Sequence, residues 1–380
     1  MRVVILGGGF GGLNAALWLG DKLKATSHEV VLIADKENFL FRPSLIWVPF
    51  GERKLSDIIV PMSPVLEKAG VHFIKQKVQR ILPKDKSIQL ENQKMLNYDF
   101  LIVATGALPH YEKIKGLKGN TSSLYQAEEA LLTGEQLKNL ESGTSIVVGA
   151  AQENPGPSIA YEFLFEIDTY LQKQGKKANI TYFTYEKRLF EQAGERATDL
   201  LEKHMQEKEI TYYCDVSIEK VEDHQVFLSN GTILPYSFSV ILPPYKGADF
   251  IFASSDLEHI DGLIPVNSYL QSIQWDNVYA VGDTNLIQNK QVVKNGRAAE
   301  LQGNLAAENI YARMLGQTYQ MEYEDSFVGV MDIGTDGGLL TIKYPKLKWG
   351  SKLLEWATDG DIPHYMKVAF EKYYLWKLRE

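Results

Sequence analysis

The chain has 380 residues, 45% of them hydrophobic and 23% charged, with a formal net charge of −8. That balance excludes global disorder, gives no basic field for wrapping nucleic acid, and allows two or three domains. One cysteine, Cys214, excludes an internal disulfide, a CxxC redox pair and cysteine-based zinc or iron–sulfur sites. It fits a reducing compartment. No stretch reaches the roughly 18 apolar residues of a spanning helix, and the N-terminal apolar run leads into glycines rather than a cleavage site. The expectation is a soluble chain or one bound to a membrane face.

Arg2 to Leu6 read as a buried strand, short and rich in Val and Ile. Gly7-Gly8-Gly9-Phe10-Gly11-Gly12 follow, and Gly7, Gly9 and Gly12 make a G-x-G-x-x-G pattern. Leu13 to Leu23 suit a helix, and a second apolar strand, Glu29 to Ala34, ends at Asp35. In such a unit the first glycine allows a tight turn and the second lets backbone approach a diphosphate. The third lets helix and strand pack closely, and an acid roughly 20 residues on accepts ribose hydroxyls. The helix start offers free N–H groups and partial positive charge. A nucleotide site is therefore predicted at Gly7, Gly9, Phe10, Gly11, Gly12 and Asp35.

Further along, Tyr98 to Ala107 form a buried strand that stops at Ala104-Thr105-Gly106. Ser145 to Val148 form another, ending at Gly149, before a helix from about Ser158 to Gln174. Gly149 would begin a second fingerprint, but Ala151 and Asn154 stand where its other glycines belong, and Pro155 lacks an N–H. The next strand, Ile180 to Thr184, ends near Glu186, a conceivable ribose acid. Cys214 falls in a strand-like segment, Ile210 to Asp215, and reads as a buried structural thiol. Asn277 to Thr284 is a strand ending in Gly282-Asp283. The seven histidines form no metal-binding spacing, and no G-x-S-x-G elbow suggests a hydrolase. Near the end, Pro363 to Arg379 read as one helix. Met366, Ala369, Phe370, Tyr373 and Trp376 form an aromatic face, with Lys367, Lys372, Lys377 and Arg379 adding charge. That pattern suits a helix lying in a headgroup plane, or one docked on protein. Leu347 to Trp356 are expected as a companion segment.

The ordered motifs G-x-G-x-x-G, Ala104-Thr105-Gly106 and Gly282-Asp283 resemble those of the flavoprotein disulfide reductase superfamily, the FAD-dependent pyridine nucleotide-disulfide oxidoreductases. Within it the chain is similar to sulfide:quinone oxidoreductases. The closer likeness lies in Phe41-Arg42-Pro43-Ser44-Leu45-Ile46-Trp47-Val48, in Gly149 to Gln152 with Ala160 to Phe163, and in Pro243 to Gly247. It continues in Lys294-Asn295-Gly296 with Ala299, Glu300 and Gln302, and in Lys367 to Lys377. The resemblance implies FAD as cofactor, a quinone as electron acceptor and attachment to a membrane surface. It also implies roles for single residues. Asp283 binds the ribityl chain, Arg42 pairs with the diphosphate and Val78 touches adenine. Lys294 places its ammonium by the flavin, near Gly296. The family's two sulfur-handling cysteines are missing, both between Gln152 and Ala160 and near Val330 to Gly334.

The expected fold class is α/β, with two Rossmann-like dinucleotide-binding domains of flavoprotein disulfide reductase type and a C-terminal amphipathic extension. Residues 1–110 and 240–320 form the FAD-binding domain, 111–239 a degenerate NAD-type domain, and 321–380 a tail facing membrane or partner, in a chain that can form oligomers. The expected function is an FAD-dependent oxidoreductase passing electrons from an unidentified donor to a quinone, at the inner, cytoplasmic face of the cell membrane. An NAD(P)H:quinone reductase of the type II NADH dehydrogenase kind and a non-catalytic FAD-binding protein are the alternatives.

Overall fold

The computed structural model describes residues 1–288, 292–318, 320–324, 327–349 and 352–380; within these, the side chains of 336, 344–349 and 352–354 are not described. In chain order the elements that frame the site begin with β1 (Arg2–Leu6), α1 (Phe10–Leu23), β2 (Glu29–Ala34), β3 (His72–Lys75) and β4 (Phe100–Val103). Next come β5 (Thr144–Ala150), α2 (Ser158–Lys173), β6 (Ala178–Thr184), β7 (Thr211–Tyr213) and β8 (Phe238–Leu242). The last are β9 (Val278–Ala280), α3 (Gly296–Met314), β10 (Phe327–Asp332), β11 (Gly338–Trp349), β12 (Lys352–Gly360) and α4 (Asp361–Arg379).

Runs such as Val3-Val4-Ile5-Leu6 and Val30-Val31-Leu32-Ile33 have no polar face, so they form strands covered on both sides. They build a parallel sheet in the order β9-β4-β1-β2-β3. From β1 the chain passes to β2 on one side and later returns to β4 on the other. The carboxyl ends of β1 and β4 therefore flank a crevice where nothing crosses, the usual place for a ligand in such sheets. A second parallel sheet has the order β7-β6-β5-β8, and its last strand reaches Leu242.

The tail is an antiparallel sheet, β10-β11-β12, followed by α4. The companion segment expected at Leu347 to Trp356 lies partly outside the described residues, and its described backbone belongs to the paired strands β11 and β12. Helix α4 returns to the first sheet. Its Tyr374 ring packs on Phe10, Phe39 and Phe41, and its hydroxyl accepts a 2.7 Å hydrogen bond from Asn14 of α1. The tail is thus fastened to the helix that follows the glycine turn.

Candidate functional site

The glycine turn is a close approach that side chains would prevent. A Cβ on Gly12 would lie 1.9 Å from the carbonyl oxygen of Gly7, so only glycine lets α1 start this near the end of β1. Gly9 differs: a Cβ there would meet no atom within 4 Å, because Gly9 faces the crevice. The first-turn N–H groups of α1 have no carbonyl within the helix to bond, and they carry its positive dipole end.

Three segments close round that helix start. Ala104 donates its N–H to Leu6 O at 2.8 Å, and Val281 donates to Val103 O at 3.0 Å, which lays Ala104-Thr105-Gly106 and Gly282-Asp283 side by side. Phe10 lies where a Cβ on Gly296 would touch its ring at 3.1 Å, so α3 begins at the same crevice, and Gly11 lies against Ala299. Asp35, exposed at the end of β2, and Val78, half-buried just past β3, stand farther along the same sheet edge. Arg42 is exposed; its guanidinium donates to Tyr125 O at 2.7 Å and covers the Tyr125 ring.

Polar groups in the crevice are left without partners. The buried Thr105 hydroxyl has no hydrogen bond, and no group among the described residues donates to the Asp283 carboxylate. Burial pushes the Asp283 carboxyl upward, with Lys294 and Arg42 drawing it back. Open space beside Gly9, free helix amides, an unpaired hydroxyl and an unpaired carboxylate suit a dinucleotide with a diphosphate and a polyol chain. FAD fits that donor and acceptor set.

Lys294 is held by the turn that carries Asp283. Its ammonium donates to Gly282 O at 3.0 Å, Asn285 O at 2.6 Å and Asn285 Oδ1 at 2.8 Å, which uses all three protons inside the protein. Burial pulls its pKa down to about 8, and the charge of Asp283 resists this. Lys294 therefore braces the Gly282-Asp283 turn. Gln302 braces it from below, its Oε1 accepting from Gly282 N at 2.7 Å and Asn285 Nδ2 at 2.8 Å.

The second sheet's turn is filled by protein. A Cβ on Gly149 would lie 2.4 Å from the Phe183 ring, and Ala151 is fully buried. Asn154 is buried, donates to Pro243 O at 2.7 Å and accepts from Gly156 N at 3.0 Å, so its side chain holds the loop against itself. Glu186, the conceivable ribose acid, is corrected: it is 5% exposed and accepts from the Tyr161 hydroxyl at 2.7 Å and from Thr184 at 3.1 Å. Burial raises its carboxyl to about 7. Cys214 is half-buried just past β7, and burial pushes its thiol up to about 11, away from the thiolate form that sulfur chemistry needs.

Sequence reading missed a second charged centre, under α4. Lys367, expected among the outward basic residues, is buried: it pairs with Glu162 of α2, lies 3.4 Å from Asp332 and stands over the Trp47 ring at 4.2 Å. Asp332 accepts from Trp47 Nε1 at 2.8 Å. Glu371, one turn on, pairs with Arg53 at 3.0 Å and takes the Ser44 hydroxyl bond. The outer face of α4 is as expected. Met366, Ala369, Phe370, Tyr373 and Trp376 are exposed, with Tyr373 at 59% and Trp376 at 58%. Ile362 and Tyr365 extend that face, and Lys372, Lys377 and Arg379 border it. No helix among the described residues is long and apolar enough to cross a membrane.

The chain is similar to known flavoenzymes along its whole length. The family described as pyridine nucleotide-disulphide oxidoreductase matches residues 1–303. The sulfide-quinone reductase of Aquifex aeolicus is 29% identical, covering 100% of this chain and 91% of that protein. The solved sulfide:quinone oxidoreductase from the same hyperthermophilic bacterium superposes with a TM-score of 0.90 at 27% identity, again covering 100% and 91%. The demethylphylloquinone reductase NdbB of Synechocystis is 25% identical over 93% of this chain and 89% of its own. The likeness to sulfide:quinone oxidoreductases stands without their two cysteines, since the only thiol is Cys214. Fold, crevice and profile agree: the chain belongs to the pyridine nucleotide-disulphide oxidoreductase family and is an FAD-dependent oxidoreductase.

Proposed function

We propose that the protein passes two electrons from its FAD to a quinone at a membrane face, and that its donor is not sulfide handled by a cysteine pair. One observation carries this reading. Phe370, on the exposed face of α4, packs 5.8 Å from Phe41, which packs 5.6 Å from Phe10 at the start of α1. An aromatic path thus joins the FAD crevice to the aromatic surface of the tail helix, where an apolar quinone tail would lie. Exposed Tyr and Trp beside Lys372, Lys377 and Arg379 suit an anionic lipid surface despite the chain's net charge of −8. The names of the relatives support the acceptor, since each is a quinone reductase.

In this reading Asp35 and Val78 take the adenosine end of FAD, and the α1 amides with Arg42 take the diphosphate. Asp283 takes the ribityl chain, and Lys294 with Gln302 keeps the Asp283 turn in shape. FAD held by these residues would supply two-electron redox chemistry between a donor and the quinone. Use of NAD(P)H is disfavoured by the filled second turn, where Phe183, Asn154 and the Tyr161–Glu186 pair occupy the space and the polar groups a nucleotide would need. The inner face of the cell membrane is the matching location for a chain with one cysteine and no pair.

The test uses the FAD-loaded protein, reduced by light without air and mixed with short-chain ubiquinone. Return of the oxidised flavin absorbance is expected, and a flavin that stays reduced would sink the acceptor. Sulfide added to the oxidised protein is expected to leave the absorbance unchanged. Rapid bleaching would overturn the reading of the missing cysteines.

A further inference from the structure

The charged centre under α4 reaches solvent most openly at His364 and less so at Arg53. His364 sits at the surface with its side chain 38% exposed, and its Nδ1 lies 2.9 Å from Asp332 Oδ1. The other oxygen of Asp332, a residue 1% exposed, lies 3.4 Å from the Lys367 ammonium. Lys367 is one turn before Phe370 on the same helix. Solvent, His364, Asp332 and Lys367 thus form a line of groups, each within reach of the next, that ends beside the aromatic path to FAD.

We propose that His364 and Asp332 relay protons from solvent to Lys367, which hands them to a quinone held beside Phe370. The inference rests on the quinone reading above and adds a route for the protons that reaction consumes. Reduction of a quinone to a quinol takes two electrons, supplied through FAD, and two protons. For each proton an N–H bond of Lys367 breaks as an O–H bond forms on the quinone oxygen. The amine takes its proton back from Asp332, which takes one from His364, and the imidazole is recharged from water. An imidazole is suited to the entry position because one ring nitrogen can take a proton from water while the other gives one to Asp332.

The surroundings favour mobile protons. Among the described residues Glu162 and Asp332 pair with Lys367, Asp332 also with His364, and Glu371 with Arg53, while the buried Glu166 feels Asp332 and Glu52 against Lys173. Four carboxylates against Lys367, Arg53 and a part-exposed imidazole cannot all stay ionised at low cost in a buried site. Burial lowers Lys367 to about 7 and raises Asp332, so the proton affinities of the two draw together. Trp47 holds Asp332 in place from the side, leaving one of its oxygens to His364.

The experiment compares the full-length, FAD-loaded wild type with His364→Ala and Asp332→Asn. Each is photoreduced and mixed either with short-chain ubiquinone or with ferricyanide, an acceptor that takes electrons but no protons. The relay predicts that His364→Ala slows quinone reduction about tenfold while slowing ferricyanide reduction far less. It also predicts that added free imidazole restores the quinone rate of His364→Ala but not of Asp332→Asn, where the second link is broken. Equal slowing with both acceptors, or no rescue by imidazole, would overturn the relay and leave His364 a merely structural contact. A wild type that reduces ferricyanide but no quinone would instead refute the acceptor reading, and the relay with it.

Discussion

Replacing Gly9 by Ala separates folding from cofactor binding. Gly9 has φ −80° and ψ −168°, a conformation open to any L residue, and a Cβ there meets nothing within 4 Å. The folded chain accepts the methyl for a poorer N-cap, at a cost of about 1 kcal/mol or less. The methyl then stands where the FAD diphosphate must approach the α1 amides. Loss of one amide–phosphate hydrogen bond costs about 1.5–3 kcal/mol, which is about 10- to 150-fold in Kd. Gly12→Ala behaves differently, because its Cβ would sit 1.9 Å from Gly7 O and α1 must part from β1. Such overpacking costs about 1–3 kcal/mol or more in the apoprotein itself. The assay measures FAD affinity by fluorescence quenching and apoprotein melting by circular dichroism for both variants. Wild-type FAD affinity in Gly9→Ala would refute the placement of the diphosphate, and so would an apo melting point as low as that of Gly12→Ala.

Three further outcomes are expected. Burial lifts the Glu166 carboxyl from 4.5 to about 8, so between those pH values the folded chain keeps a proton that the unfolded chain has lost. Stability therefore falls as pH rises through that window, by at most about 5 kcal/mol for 3.5 units. Glu166→Gln should raise the Tm above pH 8 and change it little near pH 4.5, and an equal shift at both would contradict the assignment. Replacing Tyr373 and Trp376 together by Ser removes two rings, each worth about 1.5–3 kcal/mol on full burial in lipid. Binding to anionic vesicles in a sedimentation assay should weaken at least about tenfold, and unchanged binding would remove α4 from the membrane contact. Finally, NADH and NADPH should leave the flavin absorbance unbleached; fast bleaching by either would show that the loop round Asn154 opens to admit a nucleotide.

What could be read from the sequence was what neighbouring residues encode together. The first crevice is written in contiguous stretches: a strand, glycines at fixed spacing, a helix, and a second strand ending in Asp35. Gly282-Asp283 follows the same logic, since a buried strand must stop at a turn on the carboxyl edge. The exposed face of α4 was legible because its aromatic residues recur at spacings of three and four. What stayed hidden depends on partners far away in the chain. Lys367 looks like a surface cation, but its partners Glu162 and Asp332 lie 205 and 35 residues away, and only the fold brings them to it. Its burial had one local sign: Pro363, Lys367, Glu371, Tyr374 and Leu378 share a buried helix face that adjoins the aromatic one. The hydrogen bonds of Lys294 stayed hidden for a related reason, because its acceptors are mainly carbonyls that the Gly282 to Asn285 turn presents. Glu186 ends a strand as a ribose acid would, yet Tyr161, on a helix 25 residues earlier, covers it.

The most direct test of the whole account is the chromophore of the purified protein. Acid or heat should release FAD, not FMN or a pyridine nucleotide, at one per chain, with none left covalently attached, and the apoprotein should recover its yellow colour when FAD is added back. Colourless material that takes up no FAD would contradict the assignment of the crevice, and with it the electron path drawn from Phe10 to the tail.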